Sequence, residues 1–293
     1  MMRPADLGIV LFVMLLWGFN FVVAKIGLHY MPPIFFVALR FLVVAVLLLP
    51  FVPMPRGRLK DIFALSVMLG SLHFTLMFSA MQALDAGTAS VVIQLQVPFA
   101  ALLAALIFKD KLGWRSLAGM VLAFAGVILI AGEPRLSGNL PYIGLVVAAA
   151  LFFAIANIQM KKLGDVDANA INGWVALFAT PQLFLISALL EHGQMQALRD
   201  VNWIFLSTLF YQAVIMVIVS YALWYGLLRR YPVGQVVPFM LLLPILGVLT
   251  GAVFLSEPIT WHTVVGGLLT IAGVGVIVLR RARVTEPRVG SAS

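Results

Sequence analysis

From about residue 6 to residue 280 the chain is one apolar stretch after another, separated by short charged, proline or glycine breaks. Each stretch runs to about 20 residues, enough to cross a ~30 Å hydrocarbon core as a helix. Barrel strands would alternate polar and apolar residues instead. Hydrophobic residues make up 63% of the chain and charged residues 10%, with a mean hydropathy of +1.09. Soluble proteins sit nearer half apolar and a quarter charged. The sequence is therefore that of a polytopic helical membrane protein.

The pattern predicts ten spans, at 6–25, 34–53, 62–83, 88–108, 114–131, 141–160, 170–190, 203–227, 234–256 and 261–280. With the N-terminus inside, the inward segments carry 15 of the 19 basic residues, from Arg3 through Arg56, Arg58 and Lys60 to the Arg280, Arg281, Arg283 and Arg288 group. This skew predicts that both termini are cytoplasmic. It also accounts for the formal charge of +8 without a nucleic-acid partner; the partners expected are a lipid bilayer and a small molecule. The N-terminus has one Arg before its apolar run and no small-x-small site, so it reads as a retained first span. With no cysteine, disulfides and thiolate metal sites are excluded.

Two halves of the sequence resemble each other. QLQVPFAALLAALIFKDKLGWRSLAGMVLAFAGVILI, from Gln94, aligns with LLLPILGVLTGAVFLSEPITWHTVVGGLLTIAGVGVIV, from Leu241. Pro98 then matches Pro244, Asp110 matches Glu257, Gly119 matches Gly266 and Gly126 matches Gly273. Five spans per half is an odd number, so the second half enters the bilayer upside down, an architecture shared by many secondary transporters. The expected units are 1–137 (helices 1–5), 138–281 (helices 6–10) and a cytoplasmic tail, 282–293. Each glycine pair is one heptad apart and predicts close helix contact. Pro98 and Pro244 lie inside spans four and nine, where they free a carbonyl and serve either as hinges or as packing kinks.

The stretch WGFNFVVAKIGLHYMPPIFFVALRF, Trp17 to Phe41, carries Asn20, Lys25 and Arg40 through otherwise apolar helix. An arginine at the centre of a span costs roughly 2.5–3.5 kcal/mol on insertion scales and marks a functional path by default. Snorkelling outward is its structural alternative. No span has an acidic residue at its middle to neutralise Arg40, and a substrate carboxylate would suit it, because a guanidinium grips a carboxylate with two parallel hydrogen bonds. His73 at mid-depth is a candidate proton carrier or hydrogen-bond partner. Trp17, Asn20, Gln94 and Tyr211 complete the expected cavity lining, although amides at this depth also serve as glue between helices. Lys25 is expected to reach toward water. The motifs GxxxxGK, HExxH and GxSxG are absent, so neither an ATP-driven engine nor a hydrolase has a visible constellation, and no cofactor or metal is expected.

The opening WGFNF…PP…LRF, with SVVIQLQVPFAALLAALIFKDKLGWRSLAGMVLAFAGV and SYALWYGLLRRYPVGQVVPFMLLLPILG further along, resembles the EamA family of the drug/metabolite transporter superfamily, its exporters of amino acids and cysteine-pathway metabolites in particular. The resemblance covers nearly the whole chain. It implies ten helices in two inverted repeats, residence in the bacterial inner membrane, and secondary export of amino acids or related metabolites by alternating access. It places Trp17, Asn20, Lys25 and Arg40 on the family's opening signature, and Asp110 and Glu257 on its acidic position after helices four and nine. Two alternatives stay open: a carrier of nucleotide-sugars or phosphorylated sugars, which would call for two or more buried cations, and a non-transporting scaffold. Protons are a candidate coupling ion.

Overall fold

The computed structural model describes residues 2–108, 113–164 and 166–285. Among these are ten helices long and apolar enough to span a membrane, and no strand. We number them α1 (Pro4–Leu28), α2 (Pro33–Phe51), α3 (Leu59–Met81), α4 (Ala86–Ile107), α5 (Trp114–Ala131), α6 (Pro134–Leu163), α7 (Ala168–Leu190), α8 (Trp203–Arg230), α9 (Gly234–Leu255) and α10 (Trp261–Leu279). The ten spans read from the sequence are all present. A short helix, Gln194–Arg199, between α7 and α8 was not anticipated. Asp110 lies outside the described residues, as does the tail from 286 onward.

Outward faces are apolar: Ile128, Val253, Leu189 and Leu106 are each about two-thirds exposed or more, as a lipid-facing surface requires. Trp114, Trp203 and Trp261 each open a span and stand exposed, where an amphipathic ring suits the headgroup level.

Helix pairing repeats when five is added to each helix number. α5 lies along α10, α2 along α7 and α4 along α9, while α1 rests on α9 and α8 as α6 rests on α4 and α3. The α5–α10 seam is the closest of these. A Cβ on Gly119 would stand 2.7 Å from the Gly273 carbonyl oxygen, and one on Gly266 would stand 2.6 Å from that of Gly126. Gly119 thus faces Gly273 while Gly126 faces Gly266, so the two helices run antiparallel. Thr270 Oγ1 reaches across the seam to the Ala123 carbonyl at 3.4 Å. Small residues let backbones approach in a solvent where burial of apolar area supplies no drive between helices.

Two carboxylates from the second half start helices of the first. Pro33 has no N–H, so α2's first free donors are Ile34 and Phe35, and Glu191 accepts from both at 2.7 and 3.0 Å. Glu257 does the same for α4, accepting from Ala86 N–H at 2.7 Å and Gly87 N–H at 3.0 Å. At the opposite end Asp6 accepts from Arg230 at 2.9 Å and from the Tyr231 hydroxyl at 2.6 Å, tying α1 to the end of α8.

Gly126→Ala is expected to force α5 from α10 and lower unfolding stability by about 1–3 kcal/mol. Gly144→Ala, whose Cβ would meet nothing within 4 Å, is the control. Thermal unfolding in detergent checks this, and equal midpoints for the two variants would contradict the seam's role.

Candidate functional site

Five polar side chains lie at one depth. Asn20 is eight residues before Leu28, Arg40 seven after Pro33, His73 eight before Met81, Gln94 eight after Ala86 and Gln212 nine after Trp203. These five span ends sit at the same end of the bundle, held there by the Glu191 and Glu257 caps, by Lys25 donating to the Leu84 carbonyl, and by Phe36 against Phe205. At 1.5 Å per residue the five side chains stand on the order of 10–14 Å from that end. That is near the middle of a ~30 Å core.

Arg40 is 6% exposed. Its guanidinium lies 4.6 Å above the Phe74 ring centroid and 5.7 Å from that of Phe41. A desolvated cation–π contact is worth about 2 kcal/mol, which offsets part of the burial cost but supplies no counter-charge. Among the described residues no carboxylate pairs with it. The His73 ring packs against the same Phe74, with centroids 4.7 Å apart. The snorkelling alternative does not hold for this buried guanidinium.

His73 ends a π-helical stretch of α3, Ser66–His73. Its Nδ1 lies 2.9 Å from the Ala149 carbonyl on α6, and since a carbonyl only accepts, Nδ1 carries the proton. Phe74 and Phe153 flank the ring. The π stretch is braced by Gln182 of α7, which accepts from Ser71 Oγ at 2.7 Å and donates to Ser66 Oγ at 3.0 Å. A second π-helical stretch, Tyr211–Val219, occupies α8, the helix that pairs with α1 as α3 pairs with α6. Such insertions often mark functional positions because they redirect side chains and leave carbonyls without their usual partners.

Trp17 donates from Nε1 to Ser220 Oγ at 2.7 Å and packs against Trp224 and Tyr221, with ring centroids 5.1 and 5.6 Å away. Tyr211 donates to the Leu16 carbonyl at 2.7 Å. Gln212, wholly buried, donates from Nε2 to the Asn20 carbonyl at 3.4 Å. Asn20 Oδ1 and Gln212 Oε1 are buried with no hydrogen-bond partner among the described residues. Arg40 and His73 thus share the Phe74 ring, and Trp17 gathers Tyr221, Trp224 and Ser220, with Tyr211 and Gln212 of α8 bonded to the α1 backbone at Leu16 and Asn20. Gln94 shares the depth, but its Oε1 accepts only a long 3.5 Å bond from Gln96 of its own helix. Ser220 and Phe153 carried no signal in the sequence, and Gln212, Tyr221 and Trp224 stood out only as polar or bulky residues in a span.

Pro98 and Pro244 are both the third residue of an α-helical segment that follows a 3-10 stretch, Ile93–Leu95 in α4 and Val237–Leu241 in α9. A proline lacks the N–H that would bond four residues back, which frees the Gln94 and Met240 carbonyls and lets the preceding turn tighten. Ser90 Oγ donates to the Gly87 carbonyl at 2.7 Å and lies 3.4 Å from the Pro244 carbonyl, bringing the two breaks side by side.

At the capped end, Lys25 donates to the Leu84 carbonyl rather than extending to water, and Arg135 joins Asp85 at 2.7 Å to Glu133 at 3.0 Å. A small pocket beside Glu257 is lined by Asp85, Thr88, Val248 and Thr263. Burial pushes the Glu257 carboxyl above the usual carboxylate range, against the opposing pull of the Gly87 and Ala86 N–H groups.

The EamA-like transporter family profile matches residues 6–132 and again 140–279. A protein of Salmonella typhimurium named "Probable amino-acid metabolite efflux pump" is 34% identical, covering 97% of this chain and 100% of its own length. An Escherichia coli protein of the same name is 32% identical over 93% and 94% of the two chains. A solved crystal structure superposes with a TM-score of 0.61 over 97% of this chain and all of the other, at 17% identity, which speaks to the fold alone.

The Glu257 cap carries a pH dependence whose sign is fixed. The folded state holds this proton more tightly than the unfolded chain, so the contribution is fully present below the unfolded value of 4.5 and is lost as pH rises through the raised folded value. The wild-type melting temperature minus that of Glu257→Gln is expected to fall across that window. A difference that stays constant with pH would refute it.

Proposed function

The chain belongs to the EamA-like transporter family, and on that premise we propose that it exports amino acids or closely related metabolites by alternating access. It is a multi-pass protein of the bacterial inner membrane. The observation that carries the substrate reading is Arg40: a buried guanidinium at mid-depth, stacked on Phe74, with no carboxylate partner among the described residues. A substrate carboxylate supplies the missing charge through two parallel hydrogen bonds. Trp17, Tyr211 and Tyr221 give the site an aromatic wall, and the names of the two relatives agree with this substrate class. A nucleotide-sugar or sugar-phosphate would call for at least a second buried cation, and among the described residues Arg40 is the one cation in this layer. No catalytic role is assigned to any residue.

The two matched halves form inverted five-helix repeats in this reading, with both termini cytoplasmic, an orientation the basic-residue skew supports. The repeated pairing scheme and the antiparallel α5–α10 seam support it. Pro98 and Pro244 act as paired hinges at which α4 and α9 bend to open one side at a time. His73, whose ring packs on the same Phe74 as the Arg40 guanidinium, is the group through which a proton gradient would act on the site.

Flux from proteoliposomes loaded with mixed amino acids, read by mass spectrometry with and without a pH gradient, tests the proposal. Selective release of particular amino acids is expected, and Arg40→Ala is expected to lower it by about tenfold or more while the protein still inserts, since a bond to a charged group is worth about 1.5–3 kcal/mol. Unchanged flux in Arg40→Ala would remove Arg40 from the site. No flux of any amino acid from folded wild-type protein would remove the exporter reading.

A further inference from the structure

Beside the unpaired cation at mid-depth stand two unpaired acceptors. Asn20 Oδ1 and Gln212 Oε1 are both buried without a hydrogen-bond partner among the described residues, and the two residues touch, because Gln212 Nε2 donates to the Asn20 carbonyl at 3.4 Å. That bond fixes the orientation of the Gln212 amide: the atom facing a carbonyl oxygen must be the NH2, so the atom left over is an acceptor. Gln212 is 0% exposed, so water does not relieve it. A buried polar atom left unmade costs about 1–3 kcal/mol, and each such atom needs an explanation. Interhelical glue does not supply one here. A glutamine that only joined α8 to α1 would use its donor and turn its acceptor to a second donor, yet the acceptors of both contacting residues are left over.

The missing component is a group that donates at least two hydrogen bonds and brings charge into a low-dielectric layer that already holds a bare guanidinium. A primary ammonium has three donors and no acceptor. The stretch of α8 that carries Gln212 packs against α2, which carries Arg40, and the acceptors and the guanidinium lie at the same depth within about two residues' rise. The two sets are therefore complementary to opposite ends of one zwitterion.

We propose that Asn20 Oδ1 and Gln212 Oε1 receive the ammonium group of the substrate while Arg40 receives its carboxylate, so that the protein selects molecules with a free amine over equal-sized acids without one. The inference rests on the exporter reading above. It adds Gln212 as a specificity-determining residue and gives Asn20 a stated chemical role. Admission of the ammonium requires α1 and α8 to part at this level, and the π-helical stretch that begins at Tyr211 is where α8 has slack to do so.

The test uses full-length protein in proteoliposomes loaded with phenylalanine and leucine together with their 2-hydroxy acid counterparts, which keep the carboxylate and the size but replace the ammonium by a neutral hydroxyl. Wild-type protein is expected to release the amino acids at least about tenfold faster than the hydroxy acids, the scale of a charge-assisted hydrogen bond. Gln212→Leu and Asn20→Leu are expected to bring that ratio close to one by slowing the amino acids. Gln212→Glu, which keeps acceptor oxygens in place, is expected to preserve it. Arg40→Ala is expected to slow both classes together. Equal wild-type flux of amino acids and hydroxy acids would overturn the ammonium site and leave the exporter reading intact. Equal slowing of both classes by Gln212→Leu and by Gln212→Glu would also overturn it, assigning Gln212 to packing. Absence of flux for every compound would instead overturn the exporter reading itself.

Discussion

In hydrocarbon no water is at hand to satisfy a backbone N–H or carbonyl, and each one left unpaired costs several kcal/mol. Every helix start and every break inside a span must therefore be answered by the protein itself. Here Glu191 and Glu257 answer the first donors of α2 and α4, and both come from the other half of the chain. Gln182 of α7 bridges the Ser66 and Ser71 hydroxyls of the π-helical turn in α3, and Ser90 of α4 lies 3.4 Å from the Pro244 carbonyl in α9. The irregularities are thus stitched across helices, and the stitching fixes which helices can be neighbours. The α5–α10 seam needs no such device, because glycine backbones approach directly.

Against that background, the mid-depth layer is one of the places where the rule is relaxed, as it is also at Thr75, Glu133, Gln159 and Asn172. Among the described residues Arg40 keeps a ring face but no counter-ion, and Asn20 and Gln212 each keep an acceptor without a donor. Trp17, Tyr211 and Ser220 in the same region are fully engaged, so the unanswered groups do not reflect loose packing. In the proposed exporter a passing substrate would supply the missing partners. Local breaks border this layer in three spans, as π turns in α3 and α8 and a 3-10 turn before Pro98 in α4, while the 3-10 turn before Pro244 in α9 lies farther from the capped end.

Much of the fold was legible in the sequence because lipid makes hydrophobicity almost a ruler: span lengths fix span number. The glycine heptads were readable for a related reason, since only close backbone approach explains small residues repeated on one face. Arg40 could be noticed as an oddity, whereas its ring partner Phe74 is just another apolar residue in a row of them. The pairing of Gln212 with Asn20, the Ser220 bond to Trp17 and the Glu191 cap join residues far apart in sequence, and no local pattern encodes them. The π turns were invisible as well, because a one-residue insertion in a uniformly apolar helix leaves the composition unchanged. Repeat matching did flag Glu257, and its role as a helix start emerged only once α4 was placed beside it. Lys25 shows the limit of a depth argument: at the end of a span it had water within reach, yet it bonds the Leu84 carbonyl.

The glycine seam also constrains how the gene can change. Gly119 meets the carbonyl of Gly273, and Gly266 meets that of Gly126, so each contact is shared between one residue from either half. A side chain added on one half cannot be accommodated by trimming its partner, which is already glycine and touches through its backbone. The two halves are therefore free to diverge in their loops and linings, but at these four positions each is held to glycine by the other. The seam thus limits substitution from both sides at once, because a side chain on any of the four glycines meets the backbone of the other half.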